Sequence, residues 1–320
     1  MTGGALFGVT LDARAQGKAT VRRIGFLSGF ARAEVEASHN ELRSELQKLG
    51  WSDGRDLTLL EVRTTEGRNE SLPAMAAEVV AQRPDLILVQ SVPATRALMQ
   101  ATKSIPIVMM GVGSPLEVGI IADYSRPGGN VTGASYLADE SIIKLLQFLK
   151  EAAPRLRSVA LFSNPTNAAA APMLGKLRSG AASLGIHLQI VEVSGKDDLE
   201  SALAAIRRAD SESILLPPEP LIRANRGAIA DFAQAHRLPL AITGSSRYLP
   251  ASGLMSYGPT TVQYAQIAAR YVDQILRGAN PGDLPVEQPS RFELVINLKT
   301  AKTLGLTIPS TLLQRAEVIQ

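Results

Sequence analysis

Short apolar runs alternate with amphipathic stretches along almost the whole chain, and no other feature limits its fold so tightly. The runs at 23–28, 57–62, 86–90, 107–110, 131–135, 159–163, 188–193, 213–216 and 240–243 have the length and content of strands. Between them lie helical patterns at about 34–49, 70–82, 94–102, 139–152, 168–184, 196–208, 221–236 and 260–277. The first helix gathers Val35, Leu42, Leu46 and Leu49 on one face and stops at Gly50. Strands such as Leu86-Ile87-Leu88-Val89 are apolar on both faces, so both faces need cover. Helices between successive strands supply that cover in parallel sheets, and the expected class is α/β.

The units fall into two groups. The first ends near the turn-rich "RPGGNVTG" at 126–133, and the second runs from the helix after Tyr136 to "GLMSYG" at 253–258. The pattern at 260–277 has no strand of its own in the second group, and the tail holds two extended pieces separated by Pro289. Two similar lobes with several chain crossings fit this order. The chain's 320 residues, 45% of them hydrophobic, are enough to give each lobe a core.

Composition removes several functions. Lys and Arg total 33 against 30 acids, the basic residues are scattered, and no basic stripe interleaves with aromatics, so nucleic acid is not an expected partner. There is no cysteine, hence no thiolate metal site, cysteine nucleophile, disulfide or lipid-anchored cysteine. No stretch approaches the roughly 20 apolar residues of a membrane span. The front end has a short apolar piece, Ala5 to Leu11, then Ala13-Arg14-Ala15 before Gln16. A small-x-small triplet suits signal-peptidase cleavage after Ala15, so 1–15 reads as a truncated export signal.

Parallel α/β sheets bind ligands beyond the carboxyl ends of their strands, where helix N-termini offer free N–H groups to a carboxylate. In "VQSVPATRAL" at 89–98, Ser91 suits the N-cap and Pro93 the first helical turn. Ser91, Ala94 and Thr95 then become donors to a small anion, although Ser-x-Pro is good capping chemistry with or without a ligand. The stretches 28–31 (Ser28, Gly29 and Phe30), 111–115, 163–167, 217–220 and 243–246 stand at the other strand ends. Glu219, between prolines, is either a buried partner for a ligand ammonium or a solvated loop acid. No nucleophile elbow, phosphate loop or dinucleotide fingerprint occurs. His39 lies on the apolar face of its helix, His187 begins a strand and His236 ends a helix, so no metal site is expected from them.

Several stretches also resemble a known family. "RRIGFLSG", "RPGGNVTG", "GLMSYG" and "DLPVEQPSRFELVINLKTAKTLGLTIP" closely resemble ABC-importer substrate-binding proteins, the family that includes tryptophan- and tyrosine-type binders, from about Arg22 onward. "ARAQ" resembles the end of that family's export signal. The resemblance implies a periplasmic-binding fold of type I: two Rossmann-like lobes with parallel sheets, joined by three crossovers near Tyr136, Gly258 and Pro289. Residues 22–135 and 259–288 then form one lobe, and 136–258 with 289–320 the other. It implies a periplasmic protein that binds a small molecule without chemistry or cofactor and delivers it to an ABC permease and its ATPase. A monomer is expected. The ligand positions are Ser28, Gly29, Phe30, Ser91, Ala94, Thr95, Gly111, Ser114, Tyr136, Asn164, Glu219, Thr243, Tyr248 and Tyr257. The family often has Gly-Asp-Pro where this chain has Gly113-Ser114-Pro115, so an acidic contact is expected to be missing. An aromatic carboxylic acid therefore stands beside an aromatic amino acid as the expected ligand.

Two other classes share such a core. A ligand-sensing DNA regulator needs a helix pair ahead of the first strand, where only about 22 residues precede it. An α/β enzyme working between the lobes needs a nucleophile, metal set or cofactor loop, and the sequence offers none that is recognisable.

Overall fold

The computed structural model describes residues 21–136 and 138–320. The expected cleavage after Ala15 lies outside the described residues. The first sheet contains β1 (Arg22–Ser28), β2 (Leu57–Leu59), β3 (Arg63–Thr64), β4 (Leu86–Gln90), β5 (Ile107–Gly113) and β6 (Val131–Tyr136). Its order is β2-β1-β4-β5-β6 with β3 also on β1, and every pairing is parallel. Helices α1 (Arg32–Lys48), α2 (Leu72–Ala81) and α3 (Val92–Ala101) connect these strands.

The second half runs α4 (Ala138–Ala152), β7 (Ser158–Ser163), α5 (Ala170–Ser183), β8 (His187–Glu192), α6 (Leu199–Arg208), β9 (Ile214–Leu216), α7 (Pro220–Ala224), α8 (Arg226–Ala235), β10 (Leu240–Thr243) and β11 (Met255–Pro259). It continues through α9 (Thr261–Leu276), β12 (Phe292–Asn297), α10 (Leu298–Leu304), α11 (Ser310–Leu313) and β13 (Glu317–Ile319). The second sheet has the order β13-β12-β11-β10-β9-β7-β8.

Side-chain alternation on the strands builds one apolar cluster on each face of each sheet. Leu86 and Leu88 of β4 pack with Val35, Leu42 and Leu46 of α1. Ile87 and Val89 point the other way, into Leu72, Val79 and Leu98 of α2 and α3. In the second sheet, Val159 and Leu161 meet Leu145, Leu149 and Leu177, while Ala160 and Phe162 meet Ile206 and Ile229. Each such fully buried Val, Leu, Ile or Phe side chain contributes about 1.5–3 kcal/mol, so the two-faced apolar strands are what fix this layered arrangement.

The chain passes between the sheets three times. After β6, α4 packs on β10 and β11. After β11, α9 returns to the first sheet, against α1, β5 and β6, with Ala265, Ala268, Tyr271 and Val272 in the cluster over Leu86 and Leu88. Glu287 then bridges to Ala134 of β6 before β12 rejoins the second sheet. The helix at 260–277 thus finds its strands in the other half of the molecule.

The structure departs from the expected elements in three places. Of the strand expected at 57–62 only Leu57–Leu59 forms, and pairing resumes beyond it at Arg63–Thr64: Ile24 faces Leu59 but Leu27 faces Arg63, so the edge inserts one extra residue. The helix expected at 221–236 breaks at Asn225, whose side-chain amide donates to Leu221 O at 2.7 Å and ends α7. The second sheet is not wholly parallel, because β12 runs antiparallel to β11.

Candidate functional site

Both sheets send the carboxyl ends of their parallel strands to one gap. It holds two adjoining compartments that share Phe30, Gly111, Tyr136 and Pro218 as wall. Their empty volumes, mouths included, are about 720 and 620 Å³. Both fall in the range of about 300–1,000 Å³ usual for small-molecule sites.

The strand ends are held by their own hydrogen bonds. Ser28 Oγ donates to Gln90 Oε1 at 3.4 Å and accepts from the Phe30 N–H at 3.1 Å, which aims the Phe30 ring into the gap. Ser91 is the N-cap of α3: its Oγ accepts from the Ala94 N–H at 3.4 Å, although its φ is +84°. The Thr95 hydroxyl donates back to Ser91 O at 2.8 Å. Ser91 therefore lines the first compartment, whereas Ala94 and Thr95 stand behind it.

The first compartment is polar at its far wall. Ser114 Oγ donates to Asp139 Oδ1 at 3.3 Å, and Asp139 is ion-paired with Lys176, which also reaches Glu117 at 3.7 Å. Burial pushes the Asp139 carboxyl up, but the hydrogen bond and charge of Lys176 outweigh it and hold the group below its ordinary value. Glu219 accepts from Asn164 Nδ2 at 3.0 Å and from the Ile222 N–H at 2.9 Å, so it caps α7. Burial raises its carboxyl above the usual range against those donors. The acid between two prolines is thus a buried one, not a solvated loop acid.

The second compartment is aromatic. The Arg223 guanidinium lies 3.9 Å from the ring centre of Tyr248 and 5.0 Å from that of Phe30. It donates to Thr243 O at 3.0 Å and sits 3.8 Å from Glu34, which also binds Arg226 at 2.6 Å. Tyr136 and Tyr264 meet edge to face at 6.3 Å. Gly111 makes room for the Tyr264 ring: its φ is +80°, and a Cβ there would stand 3.0 Å from Tyr264 Cζ. Burial raises the phenols of Tyr136, Tyr248 and Tyr264.

Of the fourteen sequence candidates, Phe30, Ser91, Gly111, Ser114, Tyr136, Asn164, Glu219 and Tyr248 line the two compartments. Ser28, Gly29, Ala94, Thr95 and Thr243 hold the strand ends just outside them. Tyr257 stands apart, stacked on Phe292 at 5.6 Å and edge-on to Phe148 at 5.2 Å. The sequence reading missed Glu34, Asp139, Lys176, Arg223 and Tyr264. Each falls at an unremarkable helical position, and only the first-turn place of Asp139, just past the Tyr136 crossing, was a signal.

Comparison with known proteins follows the same line. Residues 24–319 match the family described as ABC transporter substrate binding protein. A tyrosine-binding protein of Clostridioides difficile is 24% identical over 262 residues, 82% of this chain and 74% of that one. Among solved structures, the ABC domain in complex with L-Trp from Streptococcus pneumonia superposes with a TM-score of 0.85 at 23% identity, covering 94% of this chain and 100% of that one. A conserved domain protein from Vibrio cholerae gives 0.86 at 28% identity, again covering 94% and 100%.

Proposed function

The chain belongs to the ABC transporter substrate-binding protein family, and from that premise we propose that it captures an aromatic amino acid or aromatic carboxylic acid in the gap between its lobes and releases it unaltered. Members of the family bind small molecules, work with an ABC permease and its ATPase, and act outside the cytoplasmic membrane. The lobes of this reading are 22–135 with 259–288 and 136–258 with 289–320, and the protein acts as a monomer.

The observation that carries the ligand class is the aromatic wall: Phe30, Tyr136, Tyr248 and Tyr264 around the second compartment. Such rings bury a flat apolar group, while the tyrosine hydroxyls, and Ser91 in the adjoining compartment, leave hydrogen bonds for its polar substituents. The tyrosine-binding relative and the L-Trp complex support the same class.

A thermal-unfolding screen of amino acids and aromatic acids tests this. An aromatic ligand at a hundred times its Kd adds about 2.7 kcal/mol to the unfolding free energy, and the melting temperature rises with it. Stabilisation by leucine or isoleucine alone overturns the aromatic reading. Recovery of a chemically altered compound overturns release without chemistry.

A further inference from the structure

Around the first compartment, carboxylates outnumber cations among the described residues: Glu117, Asp139 and Glu219 line it, and Lys176 is the one lysine or arginine there. Glu219 is occupied as the cap of α7. Asp139 is not so settled. Its side chain is only 5% exposed, yet the cation that neutralises it is Lys176, itself 51% exposed. A buried carboxylate needs a cation, but a lysine on a flexible four-carbon stem loses rotamer freedom by staying there.

We propose that Asp139 selects an amine-bearing ligand, with the Lys176 ammonium standing in its place until the ligand's ammonium displaces it. Ser114 Oγ fixes one carboxylate oxygen of Asp139 at 3.3 Å, which leaves the other for the cation. Lys176 has somewhere to go, because Glu117 already lies 3.7 Å from its Nζ. Displacement therefore keeps two ion pairs: the ligand takes the place of Lys176 on Asp139, and Lys176 stays with Glu117. The first-turn acid of α4 does the work that Ser114, lacking a charge, cannot do. The idea rests on the ligand class given under Proposed function, and narrows it to molecules that carry an amine.

Titration calorimetry on the whole chain decides it with matched probes: L-tyrosine against 3-(4-hydroxyphenyl)propionate, and L-tryptophan against indole-3-propionate. Asp139→Asn is expected to weaken the bound amino acid about tenfold or more and to leave its deaminated analogue nearly unchanged. Lys176→Met is expected to tighten the amino acid by about threefold or more, since the competing ammonium is gone. Opposite signs from two touching residues are not the mark of a loosened fold. Equal weakening of both probes by Asp139→Asn, or weakening of both by Lys176→Met, overturns the proposal. So does a wild-type protein that binds only the deaminated acids, which leaves the aromatic reading standing. Binding of none of the four probes removes both.

Discussion

Ser91 carries a backbone φ of +84°, a conformation that costs a residue with a Cβ about 1–3 kcal/mol. Glycine would relieve that strain and forfeit only a few tenths of a kcal/mol as an N-cap. On the ligand reading proposed above, the serine is kept for its hydroxyl, because Ser91 lies on the wall of the first compartment. Ser91→Gly is therefore expected to melt at the same temperature or higher while ligand affinity falls about tenfold, read by thermal unfolding and calorimetry on one preparation. Thr95→Ala should do the reverse, because its hydroxyl is spent on the carbonyl of Ser91. It loses about 1 kcal/mol of stability and keeps its affinity. His39 makes a separate prediction at this scale. It packs edge-on against Phe26 at 5.7 Å, and burial, then the Arg43 charge, lower its pKa from the ordinary 6.5. The unfolded chain thus binds its proton more readily, so stability declines as pH falls below about 6.5. His39→Phe should flatten that part of a pH–stability curve measured by urea unfolding.

At the scale of elements, the sequence was legible wherever burial is two-faced or amphipathic. β4 and α1 stand where the periodicity of Leu86–Val89 and of Val35, Leu42 and Leu46 puts them. Crossings are not periodic, so the partner of α9 was invisible from the chain's own order and came only with the family resemblance. The split between α7 and α8 was invisible too. Asn225 in an otherwise helical pattern reads as a neutral residue until its side chain is seen bonded to Leu221 O. Charged residues suffered most: Glu34 and Arg223 look like solvated helix positions, yet both are buried where the lobes meet. The same break makes a prediction. Asn225→Ala removes the hydrogen bond that ends α7 and favours one continuous helix, which turns Arg223 out from between Phe30 and Tyr248. Stability should drop by about 1 kcal/mol, and ligand affinity by about fivefold or more, in denaturant unfolding and calorimetry respectively.

At the scale of the molecule, the two lobes touch across the gap. Gly67 of the first half lies so near the second that a Cβ would stand 2.7 Å from Leu221 Cα. Glu34 of α1 meets Arg223 and Arg226, Glu41 of the same helix meets Arg247, and Glu117 meets Lys176, so acids of the first half face bases of the second. These pairs exist only while the lobes touch. Breaking one side of a buried pair costs about 3–5 kcal/mol when the remaining charge stays buried. Here the remaining charge has an escape: when the lobes part, Arg223 returns to water. The penalty of Glu34→Gln therefore falls on the closed state rather than on the fold. Apparent affinity scales with the fraction of molecules able to close. Glu34→Gln should then weaken every ligand by the same factor, amine-bearing or not, while the melting temperature of the free protein holds. Gly67→Val should go further, keeping the lobes apart even when saturating ligand is present. Small-angle scattering reads the outcome directly: the radius of gyration of the wild type should shrink on adding ligand, and that of Gly67→Val should not. A wild type whose radius ignores the ligand, or a Glu34→Gln protein that discriminates between ligands, would show that closure and binding are not coupled through these pairs.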